Sequence, residues 1–299
     1  MTGGTAQRLA GIELGGTKTI VVLGDGTRIV ERREFPTTTP DETMGAALAV
    51  LGEWNRAAPL DAIGIGSFGP LRVDAQAADF GTILATPKRG WSGAQILAPV
   101  RRAFACPIGV DTDVNAAALA EHALGAAQGC GNVIYLTIGT GLGGGVLLDG
   151  RPVHGAMHPE IGHVRLRRVA GDAFAGVCPF HGDCIEGLIA GPALEARLPA
   201  HPADLDPVDP AWDPVGMDLA ELLAQLMLTF SPQRIVIGGG VANRQPHLIA
   251  RARDALPGLI AGYLGDMDAA ALSRMICAPT LGDDAGPVGS LVLAAQAMG

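Results

Sequence analysis

An α/β fold is what this 299-residue sequence predicts, and three observations carry the prediction. A strand–turn–strand unit occurs twice at a fixed offset. A short strand at Ile108–Val110 runs into an alanine-rich helix, and an apolar strand at Ile235–Ile237 ends in three glycines before a helix-like segment. Strand and helix signals alternating in this way read as layered α/β structure. The composition agrees: 48% of residues are hydrophobic and 17% charged, so burial can offset the ordering entropy and disorder is excluded. The length suits one large domain or two of about 100–200 residues each. Aromatics are only 4%, which leaves Ala, Val, Leu and Ile to build the core.

The first unit spans Arg8–Val30, RLAGIELGGTKTIVVLGDGTRIV. An apolar run stops at Gly15-Gly16-Thr17-Lys18, a second run follows, and Asp25-Gly26 marks a tight turn, predicting strand, glycine turn, strand, turn, strand. Asn132–Val153, NVIYLTIGTGLGGGVLLDGRPV, has the same grammar. An offset of 124 places Ile12 on Leu136, Gly15 on Gly139, Val22 on Val146 and Asp25-Gly26 on Asp149-Gly150. This is an internal repeat. Glycines let backbone N–H groups approach phosphate oxygens, and Thr17 and Thr140 can add hydroxyl donors. Two such turns facing each other could hold a triphosphate; the alternative is a pair of ordinary hairpin turns.

Other nucleotide motifs fail on context. Gly139, Gly141 and Gly144 satisfy G-x-G-x-x-G, but a dinucleotide turn must open a helix, and here Val146-Leu147-Leu148 follows. No G-x-x-x-x-G-K-[ST] occurs. Gly238-Gly239-Gly240, at the end of the strand from Arg234, offers exposed backbone as a floor for a purine, or else a plain strand-to-helix connection.

Asp111-Thr112-Asp113 sits where the short strand meets its helix. One carboxylate can cap the helix start while the other acts as a base at the C-terminal edge of a strand. Cys178-Pro-Phe-His181-Gly-Asp-Cys184 sets three ligand types at x2 spacing, and His163 lies fifteen residues earlier. Two thiolates and two imidazoles suit a closed tetrahedral Zn²⁺ site of structural kind, against the alternative of a chance cluster. Glu160 and Glu186 flank it, either as hydroxyl acceptors for a polyol or as solvated surface acids.

The net charge is −9 with no basic run, which excludes nucleic acid and membrane surfaces as partners. Ala123–Leu148 carries no charge over 26 residues but contains eight glycines, predicting a buried glycine-rich turn between strands rather than a membrane helix. Met1–Leu9 has no apolar core of a signal peptide, and five cysteines make no disulfide framework, so the cytoplasm is expected.

With these motifs in view, the chain resembles the ROK-family sugar kinases (repressors, open reading frames and kinases), in their zinc-bearing fructokinase branch. The resemblance runs from Gly11 to the closing LGDDAGPVGS at Leu281–Ser290. It implies an α/β fold of the actin and hexokinase (ribonuclease H-like) type, two domains around an interdomain cleft. The expected division is 1–116 with a returning helix at 283–299, and 117–282 carrying the zinc loop. It implies ATP, Mg²⁺ and structural Zn²⁺ as cofactors, a hexose as substrate and a homodimer. Gly15, Gly16, Thr17 and Lys18, with Thr137, Gly139, Thr140 and Gly141, become the phosphate turns, and Gly238, Gly239 and Gly240 lie beside adenine. Asp113 becomes the general base and Asn115 supports the helix start. Thr112, Asp113, Glu160, His163 and Glu186 become sugar contacts, and Thr86–Trp91 a substrate loop. His163, Cys178, His181 and Cys184 become the metal ligands. Departures from the common family pattern, namely Glu13 for Asp, Thr112 for Asn and His181 for Cys, point to fructose. Mannose or glucose kinases and a catalytically silent sugar-sensing regulator are the alternatives. The regulator would need a DNA-binding domain ahead of the core, and only ten residues precede Gly11.

Overall fold

The computed structural model describes residues 7–299; the polar stretch Met1–Ala6 of the signal-peptide reading lies outside them. The chain opens with β1 (Arg8–Leu14), β2 (Lys18–Asp25), β3 (Arg28–Pro36), α1 (Pro40–Ala57) and β4 (Ala62–Ser67). It continues through α2 (Leu97–Ala103), β5 (Ile108–Thr112), α3 (Asp113–Leu124), β6 (Val133–Ile138), β7 (Leu142–Leu148) and β8 (Arg151–Pro152). Then come α4 (Ile185–Ile189), α5 (Gly191–Arg197), α6 (Asp213–Phe230), β9 (Arg234–Gly238), α7 (Gly240–Arg244) and α8 (His247–Ile260). The chain closes with α9 (Ala269–Met275), β10 (Ile276–Cys277) and α10 (Ala285–Gln296).

Two compact units result. One holds the described residues to Leu124, Arg151–Pro159 and Asp283–Gly299; the other holds Gly125–Gly150 and Glu160–Gly282. Against the expected edge at 116, the first unit keeps the whole of α3. The reason is packing: α3 lies on α10, and a Cβ on Gly289 of α10 would overlap the Ala116 carbonyl. The C-terminal segment Asp283–Gly299 belongs to the first unit.

The repeat extends beyond the hairpin to the sheet. The strand order β3-β2-β1-β4-β5 in one sheet reads against β8-β7-β6-β9-β10 in the other. β1 pairs antiparallel with β2 and parallel with β4; β6 pairs antiparallel with β7 and parallel with β9. The two hairpins differ in register, however. Leu14 pairs with Thr19 across a four-residue turn, whereas Ile138 pairs with Leu142 across three. The offset of 124 returns at the far end, where Gly26 N donates to Gln7 O and Gly150 N to Gly131 O, both at 2.8 Å. The second hairpin thus tightens its turn by one residue and regains it before Asp149.

In the first unit, Gly11, Gly64 and Gly109 sit side by side on β1, β4 and β5. A Cβ at any of them would overlap Ser290 or Leu293 of α10. This bare strip lets the backbone of α10 lie directly on the sheet. Residues Ala285–Ala294 are consequently buried all round, as expected for a helix held between sheet and helix. The opposite face carries Ile12, Leu14, Ile63 and Ile65, packed against Leu51, Trp54 and Trp91.

The uncharged stretch 123–148 becomes the end of α3 followed by β6 and β7, whose strands are largely buried, but the turn between them is not: Thr140 is exposed and Gly139 and Gly141 are half-buried. Among the described residues no helix is long and apolar enough to cross a membrane.

Candidate active site

In the first unit the glycine turn Gly15–Lys18 is held from below by one threonine. Thr37 Oγ1 donates to Gly15 O at 2.8 Å, its N–H donates to Thr17 O at 2.9 Å, and Gly15 N donates to Lys18 O at 3.1 Å. Gly16, Thr17 and Lys18 are exposed. A Cβ on Gly16 would meet no protein atom within 4 Å, so nothing in the fold demands glycine there. Lys18 does not extend over the turn's own backbone; its Nζ lies 3.7 Å from Glu34 Oε1 on β3.

The strand edge at Asp111–Asp113 separates the two carboxylates by environment. Asp111 is buried and fully engaged: Oδ1 accepts from Thr112 N at 2.7 Å and Asn115 Nδ2 at 2.8 Å, and Oδ2 lies 3.0 Å from His154 Nε2. Thr112 Oγ1 caps α3 by accepting from Asn115 N at 3.2 Å. Asp113 is half-buried and accepts from Val114 N through Oδ1 at 2.9 Å. Burial pushes its carboxyl up to about 6, in the range that suits a general base near neutral pH. Glu13, the last side chain but one of β1, is pushed up to about 7, first by burial and then by the charge of Asp113. Its Oε2 is buried with no hydrogen-bond partner.

Sequence reasoning missed Thr37, His154 and His158. His158 is buried and its Nε2 accepts from Leu71 N at 3.0 Å, which requires a neutral ring; burial lowers its pKa accordingly. His154, whose pKa the Asp111 carboxylate raises, completes the acceptor set of that acid. Single histidines outside a ligand-spaced cluster leave no periodic signal.

In the second unit, the turn Gly139–Gly141 and the triple glycine come together. A Cβ on Gly139 would stand 3.8 Å from Gly240 N, and Gly239, at φ +93°, would set a Cβ 2.6 Å from Ile138 N and 2.7 Å from Thr137 Oγ1. Gly239 therefore has to be glycine on both backbone and packing grounds. Glu186, on the first turn of α4, holds the same place from the side, its Oε2 accepting from Leu142 N at 3.0 Å. A Cβ on Gly141 would lie 2.8 Å from that oxygen.

The metal-spaced residues converge. The ligand atoms of His163, Cys178, His181 and Cys184 all lie within 4.8 Å of one another. Cys178 Sγ is 3.8 Å from Nδ1 of both His163 and His181, and Cys184 Sγ is 3.6 Å from His163 Nδ1. Around a tetrahedral Zn²⁺ with ordinary bond lengths the sulfur–nitrogen edge is about 3.5 Å, so the donor set fits the ion. Burial pushes the Cys184 thiol up, a penalty that a metal cation would remove. Glu160 is exposed and begins the turn that carries His163, its carbonyl accepting from His163 N at 3.0 Å. The loop from His163 to Cys184 has a second clasp: Arg197, 5% exposed, donates to Asp172 at 2.5 Å and to Asp218 at 2.8 Å, and Arg168 joins Asp172 at 2.8 Å.

The profile of the ROK family matches residues 9–297, nearly the whole described chain. The chain belongs to the ROK family. It is 40% identical to a fructokinase of Zymomonas mobilis over 96% of each chain. It is 38% identical to a fructokinase of Pediococcus pentosaceus over 97% of this chain and 98% of that one. Among solved structures, a ROK hexokinase from Thermus thermophilus superposes with a TM-score of 0.77 at 30% identity, covering 98% of this chain and 99% of that one. The α/β fold of the actin and hexokinase type expected from the ROK resemblance is thereby established for this chain.

Proposed function

We propose that this ROK protein is an ATP-dependent fructokinase, forming fructose 6-phosphate with Asp113 as the general base. The observation that carries the reading is the division of labour at the strand edge. Asp111 is consumed by three partners, two of them side chains, while Asp113 accepts only from backbone N–H groups and has a carboxyl near 6. Asp113 takes the proton of the attacking hydroxyl; the remaining catalysis is positioning and charge stabilisation. Gly15–Lys18 and Thr137–Gly141 form the phosphate turns: Gly15 N and Gly139 N are spent on Lys18 O and Gly141 O, so the phosphate contacts fall to the exposed backbone of Gly16, Thr17 and Thr140, and Gly238–Gly240 borders the adenine. Thr112, Glu160, His163 and Glu186 contact the sugar; His163 presents Nδ1 to the thiols, which leaves Nε2 for a hydroxyl. The unit containing α10 acts as the small domain and the unit with the metal loop as the large one.

Two metals belong to this reading. The Cys/His cluster fits Zn²⁺, which would fix the loop bearing Glu160 and Glu186 and take no part in the chemistry. Mg²⁺, which would neutralise phosphate charge, fits the unpartnered Oε2 of Glu13, because a buried carboxylate oxygen without a donor suits a cation. The protein is read as a cytoplasmic homodimer with hexose and ATP as its partners and no nucleic acid or membrane. The acidic charge supports the last point, and light scattering tests the dimer.

A coupled ADP-release assay with fructose, mannose, glucose and N-acetylated hexosamines tests the function. The kcat/KM for fructose is expected to exceed that for glucose at least ~10-fold, one hydroxyl contact at about 1.4 kcal/mol. A lead for glucose or an N-acetylated sugar overturns the substrate. An absence of hexose-dependent ADP release overturns the kinase.

A further inference from the structure

The loop Thr86–Trp91 sends one side chain back to the first glycine turn. Lys88 Nζ lies 2.5 Å from Gly16 O and 3.3 Å from Thr37 O, and among the described residues it has no carboxylate partner. Two carbonyls take two of its three N–H donors and leave the third without a protein acceptor. Lys18, inside the turn, lies 3.7 Å from the exposed carboxylate of Glu34. The loop that carries Lys88 is anchored: Trp91 is wholly buried, its Nε1 donates to Thr38 O at 2.8 Å, and Phe68 packs edge-on at 5.1 Å. The ammonium is therefore held beside an exposed turn whose Gly16 leaves open space where a Cβ would stand.

The third N–H of this ammonium is directed at no protein acceptor and can take an anion, and phosphoryl transfer needs fixed positive charge on the oxygens of the moving group. We propose that Lys88 is a catalytic residue that binds the γ-phosphoryl group of the nucleoside triphosphate. It exchanges its carbonyl contacts for a non-bridging γ-oxygen when the nucleotide arrives. The assignment rests on the kinase reading above. In the step, the sugar hydroxyl oxygen bonds to the γ-phosphorus as the bond to the β,γ-bridging oxygen breaks. The hydroxyl proton passes to Asp113, and the electron pair of the broken bond leaves with ADP. Lys88 keeps its proton throughout and stabilises the charge on the transferring group.

The test compares Lys88→Met and Lys88→Arg with the wild type. Titration calorimetry measures affinity for ADP and for a non-hydrolysable ATP analogue, and a coupled assay measures turnover. In Lys88→Met, analogue affinity is expected to fall at least ~10-fold with ADP affinity within about threefold, and kcat to fall ~10²-fold with little change in fructose KM. Lys88→Arg is expected to recover part of both. An equal loss of ADP and analogue affinity overturns the proposal, because a lysine that only braces the turn would affect both alike. A kcat within threefold of wild type in Lys88→Met overturns it too. Binding is read without turnover, so the two readings fail separately. Wild type that binds the analogue but phosphorylates no hexose sinks the kinase reading, while the affinity ratio still decides Lys88. Wild type that binds neither nucleotide sinks both.

Discussion

The two glycine turns share a sequence grammar and differ in what surrounds them. Gly15–Lys18 stands among ionisable groups: Glu13 precedes it, Lys18 pairs with Glu34, and Lys88 lies on Gly16 O. Gly139–Gly141 stands among backbone: Gly240 beside Gly139, the 238–239 segment against Ile138, and Glu186 fastened to Leu142 N. In the first turn, Gly16 is free of any packing demand; in the second region, Gly239 is imposed by a left-handed φ and by contact with Ile138. The repeated hairpin has thus kept its topology while ionisable side chains surround one turn and mostly backbone borders the other.

The largest expected effect lies on the charged side. Asp113→Asn removes the proposed base while nearly preserving shape, so kcat is expected to drop at least ~10²-fold with nucleotide affinity retained. In the wild type, kcat/KM is expected to fall as pH drops through about 6, where Asp113 takes up a proton. Activity within threefold of wild type in the variant would transfer the role elsewhere and erase the functional contrast between the turns.

Next in size is the metal loop that supports the second region. Cys184→Ser breaks a four-ligand set two residues before Glu186, so bound zinc is expected to fall from about one per chain to well below half. The fructose KM should rise ~10-fold, because Glu186 loses its anchor. Elemental analysis of the wild type that finds no metal near one equivalent would remove the ion from this account.

Paired glycine variants sharpen the comparison directly. Gly239→Ala forces a Cβ onto Ile138 at positive φ and is expected to cost about 1–3 kcal/mol in denaturant unfolding. Gly16→Ala should leave stability within about 0.5 kcal/mol yet raise the KM for ATP, since the space is clear of protein atoms and the proposed phosphate would enter it. Equal destabilisation by both would show that the two turns do the same structural work.

The smallest effect is on pH dependence. Folded Glu13 titrates near 7 against a reference of 4.5, so the folded chain binds its proton more tightly than the unfolded one. That stabilising contribution is complete below pH 4.5 and is lost as pH rises through about 7. Glu13→Gln, always neutral, should therefore raise Tm over wild type by about 2–4 °C at pH 8 and by much less at pH 5. Differential scanning fluorimetry across pH reads this, and a gain independent of pH would remove the Glu13 carboxyl as its cause.

Much was legible in the sequence because it lies in short-range pattern. Apolar runs bounded by glycine and Asp-Gly locate β1, β2, β6 and β7. Ligand spacing locates the four side chains that could hold a metal ion, since Cys178, His181 and Cys184 occupy one loop and one further histidine completes the set. The acid pair at the edge of β5 was legible as a pair. What tertiary structure alone decided are relations between residues far apart in the chain. Which acid is free depends on Asn115 and on His154, forty-three residues away. The turn's own Lys18 pairs with Glu34, and a second ammonium reaches Gly16 O from Lys88, seventy-two residues beyond it. The packing of α10 depends on three glycines from three strands that align only when the sheet forms. Local sequence determines backbone geometry within a few residues, whereas burial and partner choice arise when the chain closes on itself, and these set the charge of each acid and lysine at the site.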